Sequence, residues 1–140
     1  METKEYDSIK PKKNKSYKKN STLFPFIIGF LLFVALCGFN TLNPSNISWI
    51  FYGDDASAMY MGWSFFRLSD FSLLFNNPFY GLELSSTIGY SGSIPILAFI
   101  FKIMHPLLPL HFQYFGFFIL GCFLFQSYFS WKLIWGAILK

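Results

Sequence analysis

Long apolar stretches alternate with polar segments along this 140-residue chain. Leu23–Phe39 has no charged residue over 17 positions, and with its flanks it reaches the roughly 20 residues that a membrane-crossing helix needs. Phe112–Trp131 is a second uncharged stretch of that length. Ile94–Met104 is shorter and crosses only if its helix extends backward. Lys102, near its end, would then reach the cytoplasmic surface. The pattern predicts an all-α integral membrane protein with about three transmembrane helices, over residues 22–42, 88–104 and 112–132.

Residues 43–87, between the first two predicted spans, form the extracytoplasmic loop in this interpretation. From residue 56 onward their apolar positions recur at helical spacing, and Asp54 or Asp55 is a natural cap for such a helix. The helix is amphipathic, and Tyr60 and Trp63 are residue types that favour the headgroup region of a membrane. We therefore expect an interfacial amphipathic helix in this loop.

Positive charge is concentrated at the amino terminus. Residues 1–20 hold seven lysines, whereas the loop has four acids and one arginine. Residues 1–22 are too polar to bury a core and are predicted to be a disordered tail. The excess of lysine places that tail in the cytoplasm, so three spans would put the loop outside, connector 105–111 inside and Lys140 outside. Lysines directly before a span favour anionic lipid over nucleic acid, so we expect the lipid bilayer, and no nucleic acid, as a partner.

The first apolar stretch has an alternative interpretation as a cleaved signal peptide. It is longer than the apolar region of most signal peptides, and no clear small-x-small cleavage site follows it. The stretch therefore favours an uncleaved anchor, and residues 23–140 are interpreted as one membrane domain.

Four charged residues of the loop are candidates for chemistry. Asp54 and Asp55 have the chemistry of a general base or of ligands for a cation that bridges to phosphate; alternatively, one caps the helix and the other is solvated. Arg67 is the only arginine and suits a phosphate or pyrophosphate; alternatively, it pairs with Asp70 or contacts headgroups. Glu83 suits a sugar hydroxyl or is merely exposed.

The remaining residues add no recognised chemistry. The chain contains no nucleotide-binding or hydrolase motif. Cys37 and Cys122 lie inside apolar runs and are predicted to be small buried hydrophobes. His105 and His111 flank a proline-rich connector and make a weak metal pair. We predict no metal site and assign no cofactor.

Several runs of residues resemble a known family. They are Asn43-Pro-Ser-Asn-Ile-Ser-Trp49, Gly62-Trp-Ser-Phe-Phe-Arg67, Tyr80-Gly-Leu-Glu-Leu84, Pro106-Leu-Leu-Pro109 and Phe112-Gln-Tyr-Phe-Gly116. The resemblance, over residues 25–135, is to the amino-terminal part of a bacterial family of large multi-span membrane proteins. That family has no assigned function, and its layout is similar to that of the GT-C class of glycosyltransferases. The resemblance implies a multi-pass protein of the bacterial inner (cytoplasmic) membrane with a cytoplasmic amino terminus.

The GT-C resemblance also implies a chemistry. That class uses a polyprenyl-phosphate sugar donor and an acidic residue in the first extracytoplasmic loop, so it implies Asp54 as the base, with Asp55 beside it, and a lipid-linked sugar as partner. Family members are several times longer than this chain, which we therefore expect to be the front end of a larger protein. Two functions stay open: sugar transfer as part of that longer protein, or a non-catalytic membrane subunit or assembly protein that packs against partner helices.

Overall fold

A computed structural model of the chain describes residues 15–71, 76–80 and 86–138, with the backbone alone at residues 15–22, 54, 86 and 138. Four α-helices make up most of this part: α1 (Lys15–Cys37), α2 (Asp54–Leu68), α3 (Pro95–Ile103) and α4 (Phe115–Ile138). Short 3₁₀ helices occupy connections between them, at Phe39–Leu42, Ser48–Tyr52, Ile88–Ser91 and His105–Leu107. Two short strands, β1 (Asn76–Asn77) and β2 (Ser86–Thr87), pair antiparallel. The described residues are mostly helical, as the predicted all-α class requires.

Helix α1 begins earlier than the apolar pattern indicates. Residues 15–22, predicted to be part of a disordered tail, are helical, and residues 1–14 of that tail lie outside the described part. Pro25 is consequently an interior residue of the helix and not a first-turn residue, so its ring removes one backbone hydrogen bond. The Pro25 carbonyl oxygen accepts a hydrogen bond of 2.6 Å from the Ser127 hydroxyl of α4.

Helices α1 and α4 pack against each other as an antiparallel hairpin. Aromatic rings mark the register: the centroids of Phe24 and Trp131 are 5.4 Å apart, and those of Phe33 and Phe123 are 6.0 Å apart. Gly29 permits the close approach, because a Cβ there would lie 2.8 Å from the Phe123 carbonyl oxygen. The amino end of α1 and the carboxyl end of α4 therefore lie at the same end of the hairpin.

Among the described helices, only α4 is both long and apolar enough to cross a membrane, over the 23 residues Phe115–Ala137. It starts later and ends later than the predicted span 112–132, because residues after Trp131 continue the helix. The apolar part of α1, Leu23–Cys37, is shorter.

Residues 88–104 do not form the single spanning helix that was predicted. The 3₁₀ helix Ile88–Ser91 ends at Gly92, which has a left-handed φ of 66°, and Ile94 has a φ of 50°. Pro95 then begins α3 and disfavours a helical conformation at the residue before it. With nine residues, α3 is about 14 Å long, which is half the hydrocarbon thickness of a bilayer.

One end of the hairpin carries a folded unit, which we call the head; it consists of the described residues 39–71, 76–80 and 86–114. Its apolar core is made by α2, α3 and the segment that precedes α4. The buried residues of this core are Ile50, Tyr60, Trp63, Phe66, Ile88, Ala98, Phe112, Tyr114 and Phe115. Trp63 is only 1% exposed, and its indole N–H donates to the Phe112 carbonyl oxygen at 3.0 Å. Trp63 therefore packs inside the protein and does not face lipid headgroups as predicted.

The head brings together two segments that the prediction placed on opposite sides of a membrane. Connector 105–111 was expected on the opposite side from the loop, yet Arg67 of α2 donates hydrogen bonds to Leu108, Pro109 and Leu110. Lys102, expected to reach the cytoplasmic surface, is instead buried against α2. The loop and the connector thus contact each other. Helix α4 runs antiparallel to α1, so its carboxyl end lies beside the start of α1; Lys140 lies outside the described residues.

Candidate functional site

The two acids of the candidate site open helix α2. Gly53, with φ −134° and ψ 139°, is the N-cap residue, and no side chain bonds to the cap position. Asp54 and Asp55 follow as the first two helical residues, so neither is the cap that the sequence predicted. The Asp55 side chain is exposed, whereas for Asp54 the structure describes the backbone alone. Acidic residues in a first helical turn interact favourably with the positive end of the helix dipole.

An apolar cavity of about 130 Å³ lies beside this end of α2. It is bounded by α2, by the turn that precedes α2, by the start of α4 and by Ile94. Its lining residues are Trp49, Ile50, Ala56, Met59, Ile94, Phe115, Phe118 and Ile119. A cavity of about this volume accepts one benzene-sized apolar group. Ala56 directly follows the two acids, so the cavity wall and the carboxylates belong to the same helical turn.

One polar atom of the cavity wall has no partner. The Trp49 indole N–H is buried and finds no acceptor among the described residues. An unsatisfied buried donor costs about 1–3 kcal/mol. The unused donor belongs to a residue of the cavity wall, but its nitrogen has almost no accessible surface, so the exposed wall itself is apolar.

Arg67, the third predicted site residue, holds the connector to α2. Its Nε–H donates to His105 Nδ1 at 2.6 Å, and its terminal nitrogens donate to the carbonyl oxygens of Pro109, Leu110 and Leu108 at 2.7, 3.0 and 2.9 Å. The side chain is 7% exposed. Four hydrogen bonds use most of the five N–H donors of a guanidinium. A phosphate at Arg67 would have to displace these contacts.

The immediate surroundings of Arg67 also differ from the predicted alternatives. Its partners are His105 and carbonyl oxygens, not the Asp70 carboxylate, and its burial separates it from headgroups. Burial lowers the pKa of Arg67 from its ordinary value, an effect that Tyr60 partly offsets. Burial likewise raises the pKa of the Tyr60 hydroxyl, and the nearby Arg67 lowers it by a smaller amount. A cavity of about 50 Å³ beside these groups has room for a few water molecules.

Lys102 is a second buried cation of the head that sequence reasoning assigned to the surface. Its Nζ donates to the Ser69 hydroxyl and to the Asp70 carbonyl oxygen, each at 2.8 Å, and lies 4.1 Å from the centroid of the Phe66 ring. Burial lowers the pKa of Lys102, and Asp70 offsets that effect in part. Lys102 thus fixes α3 to the end of α2.

Among the described residues, the other polar residues considered from the sequence do not join the site. Glu83 lies outside the described residues. Within the described part no group of three or more histidine, cysteine or acidic side chains is arranged to hold a metal. His105 serves as the acceptor for Arg67, and His111 is exposed. Of the cysteines predicted to be buried, Cys37 is half-buried and Cys122 is exposed.

Sequence reasoning missed two polar groups that organise the head. Gln113, with no exposed surface, donates to the Thr41 and Asn43 carbonyl oxygens and accepts from the Gly116 N–H, which joins the end of α1 to the start of α4. Ser93 donates to the Met59 carbonyl oxygen at 2.5 Å. An isolated glutamine within an apolar run is a usable sequence signal for Gln113, because buried amides require partners; Ser93 gives no comparable signal.

Comparison with known proteins yields one match. Neither a curated protein nor a solved structure matches the chain. Residues 26–138 match the family described as "Domain of unknown function (DUF6311)". Since the match extends from α1 to the end of α4 and includes the whole head, the chain belongs to the DUF6311 family.

Proposed function

We propose that this chain is a multi-pass inner-membrane protein whose α1–α4 hairpin crosses the bilayer and holds the head at the extracytoplasmic face. Seven lysines lie in residues 1–20, and Lys132 lies near the carboxyl end of α4, at the same end of the hairpin as the start of α1. Lys140 follows α4 in the sequence. Both ends of the chain thereby carry positive charge, which favours the cytoplasmic side for both. The apolar part of α1, Leu23–Cys37, is about 22 Å of helix, and the polar residues 15–22 before it extend α1 to about 34 Å.

We further propose that the head takes part in sugar transfer from a polyprenyl-phosphate donor, as the GT-C resemblance implies. The observation that carries this proposal is the apolar cavity beside the first turn of α2. It is lined by Phe115 and Phe118 of α4, so it lies where the head meets the membrane helix. An isoprenoid segment of the donor fits the apolar wall, while the polar end of the donor reaches the turn with Asp54 and Asp55.

In the proposed reaction, one proton is transferred to the first turn of α2, which carries Asp54 and Asp55. Asp54 accepts the proton of an acceptor hydroxyl as that oxygen bonds to the anomeric carbon of the sugar. The bond from the anomeric carbon to the donor phosphate breaks, and polyprenyl phosphate leaves with the bonding electron pair. Asp55, one residue on, adds negative charge that favours protonation of Asp54. Arg67 and Glu83 remain the proposed contacts to phosphate and sugar, with Arg67 available only if its bonds to the connector open.

Transfer of labelled sugar from polyprenyl-phosphate donors, in membranes that carry this chain, tests the proposal. Asp54→Asn preserves size and helix-starting ability but removes the base, so transfer should fall about a hundred- to ten-thousandfold. Asp55→Asn should cost less. Ile119→Trp should fill the cavity and weaken donor binding while the base stays in place.

Two controls make the result interpretable. Membrane content of each variant is measured by alkaline extraction, so that loss of protein is separated from loss of chemistry. Phe129→Trp, an exposed position of α4 away from the cavity, is the matched control for Ile119→Trp. Equal transfer by the wild type and Asp54→Asn would remove Asp54 from the chemistry and refute sugar transfer by this site.

A non-catalytic membrane subunit or assembly protein is the second candidate, and one observation favours it. Arg67 and Lys102 are the only lysine or arginine residues in the described part of the head, and both are buried and bonded within the protein. No lysine or arginine there is available to a donor phosphate without rearrangement. In this candidate function the head is a rigid cap and the hairpin packs against partner membrane helices.

A further inference from the structure

A polar side chain lies at the midpoint of the candidate membrane span. Gln126 is eleven residues from either end of Phe115–Ala137. Its side chain is exposed, and it makes no hydrogen bond to any residue that the structure describes. It lines a groove of about 440 Å³ between α1 and α4. The adjacent Ser127, in contrast, points toward α1 and donates to the Pro25 carbonyl oxygen.

The position of Gln126 makes its missing partner significant. At the bilayer centre no water competes for the amide, and an unsatisfied amide in hydrocarbon costs several kcal/mol. Polar side chains in spanning helices accordingly face other helices and bond across the contact. In the described part of the hairpin, the Gln126 amide has no such partner.

The exposed residues around Gln126 form a helix-packing stripe. Cys122, Gln126, Phe129 and Leu133 are all exposed, and their spacing of four, three and four residues places them on one face of α4. This is the spacing of a two-helix seam in coiled coils. The stripe therefore has the repeat that a second helix needs, with its polar member at the centre.

We propose that this stripe binds the α4 helix of a second copy of this chain, with the two Gln126 amides bonded to each other. An amide is both donor and acceptor, so it is complementary to itself. Two copies inserted in the same orientation have parallel α4 helices, and a two-fold axis along the membrane normal brings equal residues together. The inference rests on α4 crossing the bilayer and is independent of sugar transfer.

Oxidative cross-linking of the native Cys122, one turn from Gln126, tests the dimer in membranes. Cys37→Ala removes the other cysteine and is the common background. Disulfide-linked dimers should form through Cys122, and Gln126→Leu should lower their yield about five- to thirtyfold at equal protein density. Gln126→Asn keeps an amide and should retain most of the dimer.

A matched control reports random collision. Phe117 is exposed and lies nine residues from Gln126, which is half a turn around the helix. Phe117→Cys, in a chain that lacks both native cysteines, should give little cross-linking. Three outcomes would each overturn the proposal. They are equal dimer yields for the chain that keeps Gln126 and for Gln126→Leu, efficient linkage through Phe117→Cys, and linkage of Cys122 only to a different protein. Alkaline extraction verifies that every variant is inserted.

Discussion

The hairpin and the head are built from the same aromatic-rich chain but are held together differently. In the hairpin, aromatic contacts and the close approach at Gly29 join α1 to α4, while residues such as Leu36 and Leu133 remain about three-quarters exposed. The head instead buries Arg67, Lys102 and several polar side chains. Some of these, such as Asn77 and Gln113, donate to backbone carbonyl oxygens of other segments. A hydrocarbon solvent suits the first arrangement, because it accepts exposed apolar groups but no unpaired polar ones. The second arrangement suits a unit at the membrane surface.

This difference indicates that the two buried cations, Arg67 and Lys102, have a structural role. Arg67 connects α2 with the connector before α4, and Lys102 connects α3 with the end of α2. Gly92 and Pro95 interrupt the apolar run over residues 88–104, and the bonds of Arg67 and Lys102 hold the following segments against α2. Substitutions that remove these contacts and leave the hairpin unchanged therefore distinguish the two regions best.

The largest effect is expected for Arg67→Ala. It leaves three connector carbonyl oxygens and His105 without their donor, and each buried acceptor left unsatisfied costs about 1–3 kcal/mol. The free energy of unfolding in detergent micelles measures it. Arg67→Lys keeps the charge but not the fork of donors, and should recover only part of the loss. A loss below about 1 kcal/mol for Arg67→Ala would contradict the architectural role.

Gly116→Ala should have the next largest effect, because it acts where the head meets the hairpin. A Cβ at Gly116 would lie 2.0 Å from the Thr41 carbonyl oxygen, so the backbone of one segment must move. Overpacking of this kind costs about 1–3 kcal/mol. Gly121→Ala, in the same helix, meets no atom within 4 Å and should be neutral or stabilising. Equal effects of the two substitutions on the free energy of unfolding would refute the close contact.

Lys102 should make the stability of the head depend on pH. Burial lowers its pKa in the folded state, so between that value and about 10.4 the unfolded chain binds more protons. The free energy of unfolding should therefore rise with pH through that window, by at most about 1.4 kcal/mol per pH unit. Denaturant titrations at several pH values measure the slope. Lys102→Met and Lys102→Arg should both flatten it, and an unchanged slope in both variants would assign it to another group.

The smallest effect is expected inside the hairpin. Ser127→Ala removes one hydrogen bond to the Pro25 carbonyl oxygen, and such bonds between membrane helices contribute about 0.6 kcal/mol on average. Ser130→Ala, an exposed neighbour on α4, is the matched control. A loss for Ser127→Ala as large as that for Arg67→Ala would erase the distinction between the two regions.

The sequence predicts the elements better than their arrangement. The uncharged runs identify α4 and the apolar part of α1, and helical spacing after Asp54 identifies α2. Residues 88–104 are apolar enough to suggest a span, but Gly92 and Pro95 interrupt the helix. The residues that pack against this segment come from α2, more than 25 positions away in the sequence. Hydrophobic periodicity reports which face is buried but not which segment covers it.

The same limit applies to the candidate site. Asp54 and Asp55 were predicted from the sequence as an adjacent pair of acids in the loop, and the structure adds that the cavity lies beside their turn. The cavity itself depends on Phe115 and Phe118 of α4, which no local pattern connects with residue 56. For Arg67, the choice between phosphate and carbonyl partners depends on the return of the connector. That return is a tertiary contact without a local signal.

In the proposed arrangement, the loop and the connector lie on the same side of the membrane. Cysteine accessibility tests this most directly. Ser45→Cys and His111→Cys, both at exposed positions, are introduced separately into a chain without Cys37 and Cys122. Ser8→Cys, in the lysine-rich tail, is the cytoplasmic control. In intact spheroplasts an impermeant maleimide should label Ser45→Cys and His111→Cys alike, and Ser8→Cys only after permeabilisation. Labelling of Ser45→Cys in intact cells, with His111→Cys labelled only after permeabilisation, would contradict the hairpin and restore a third span.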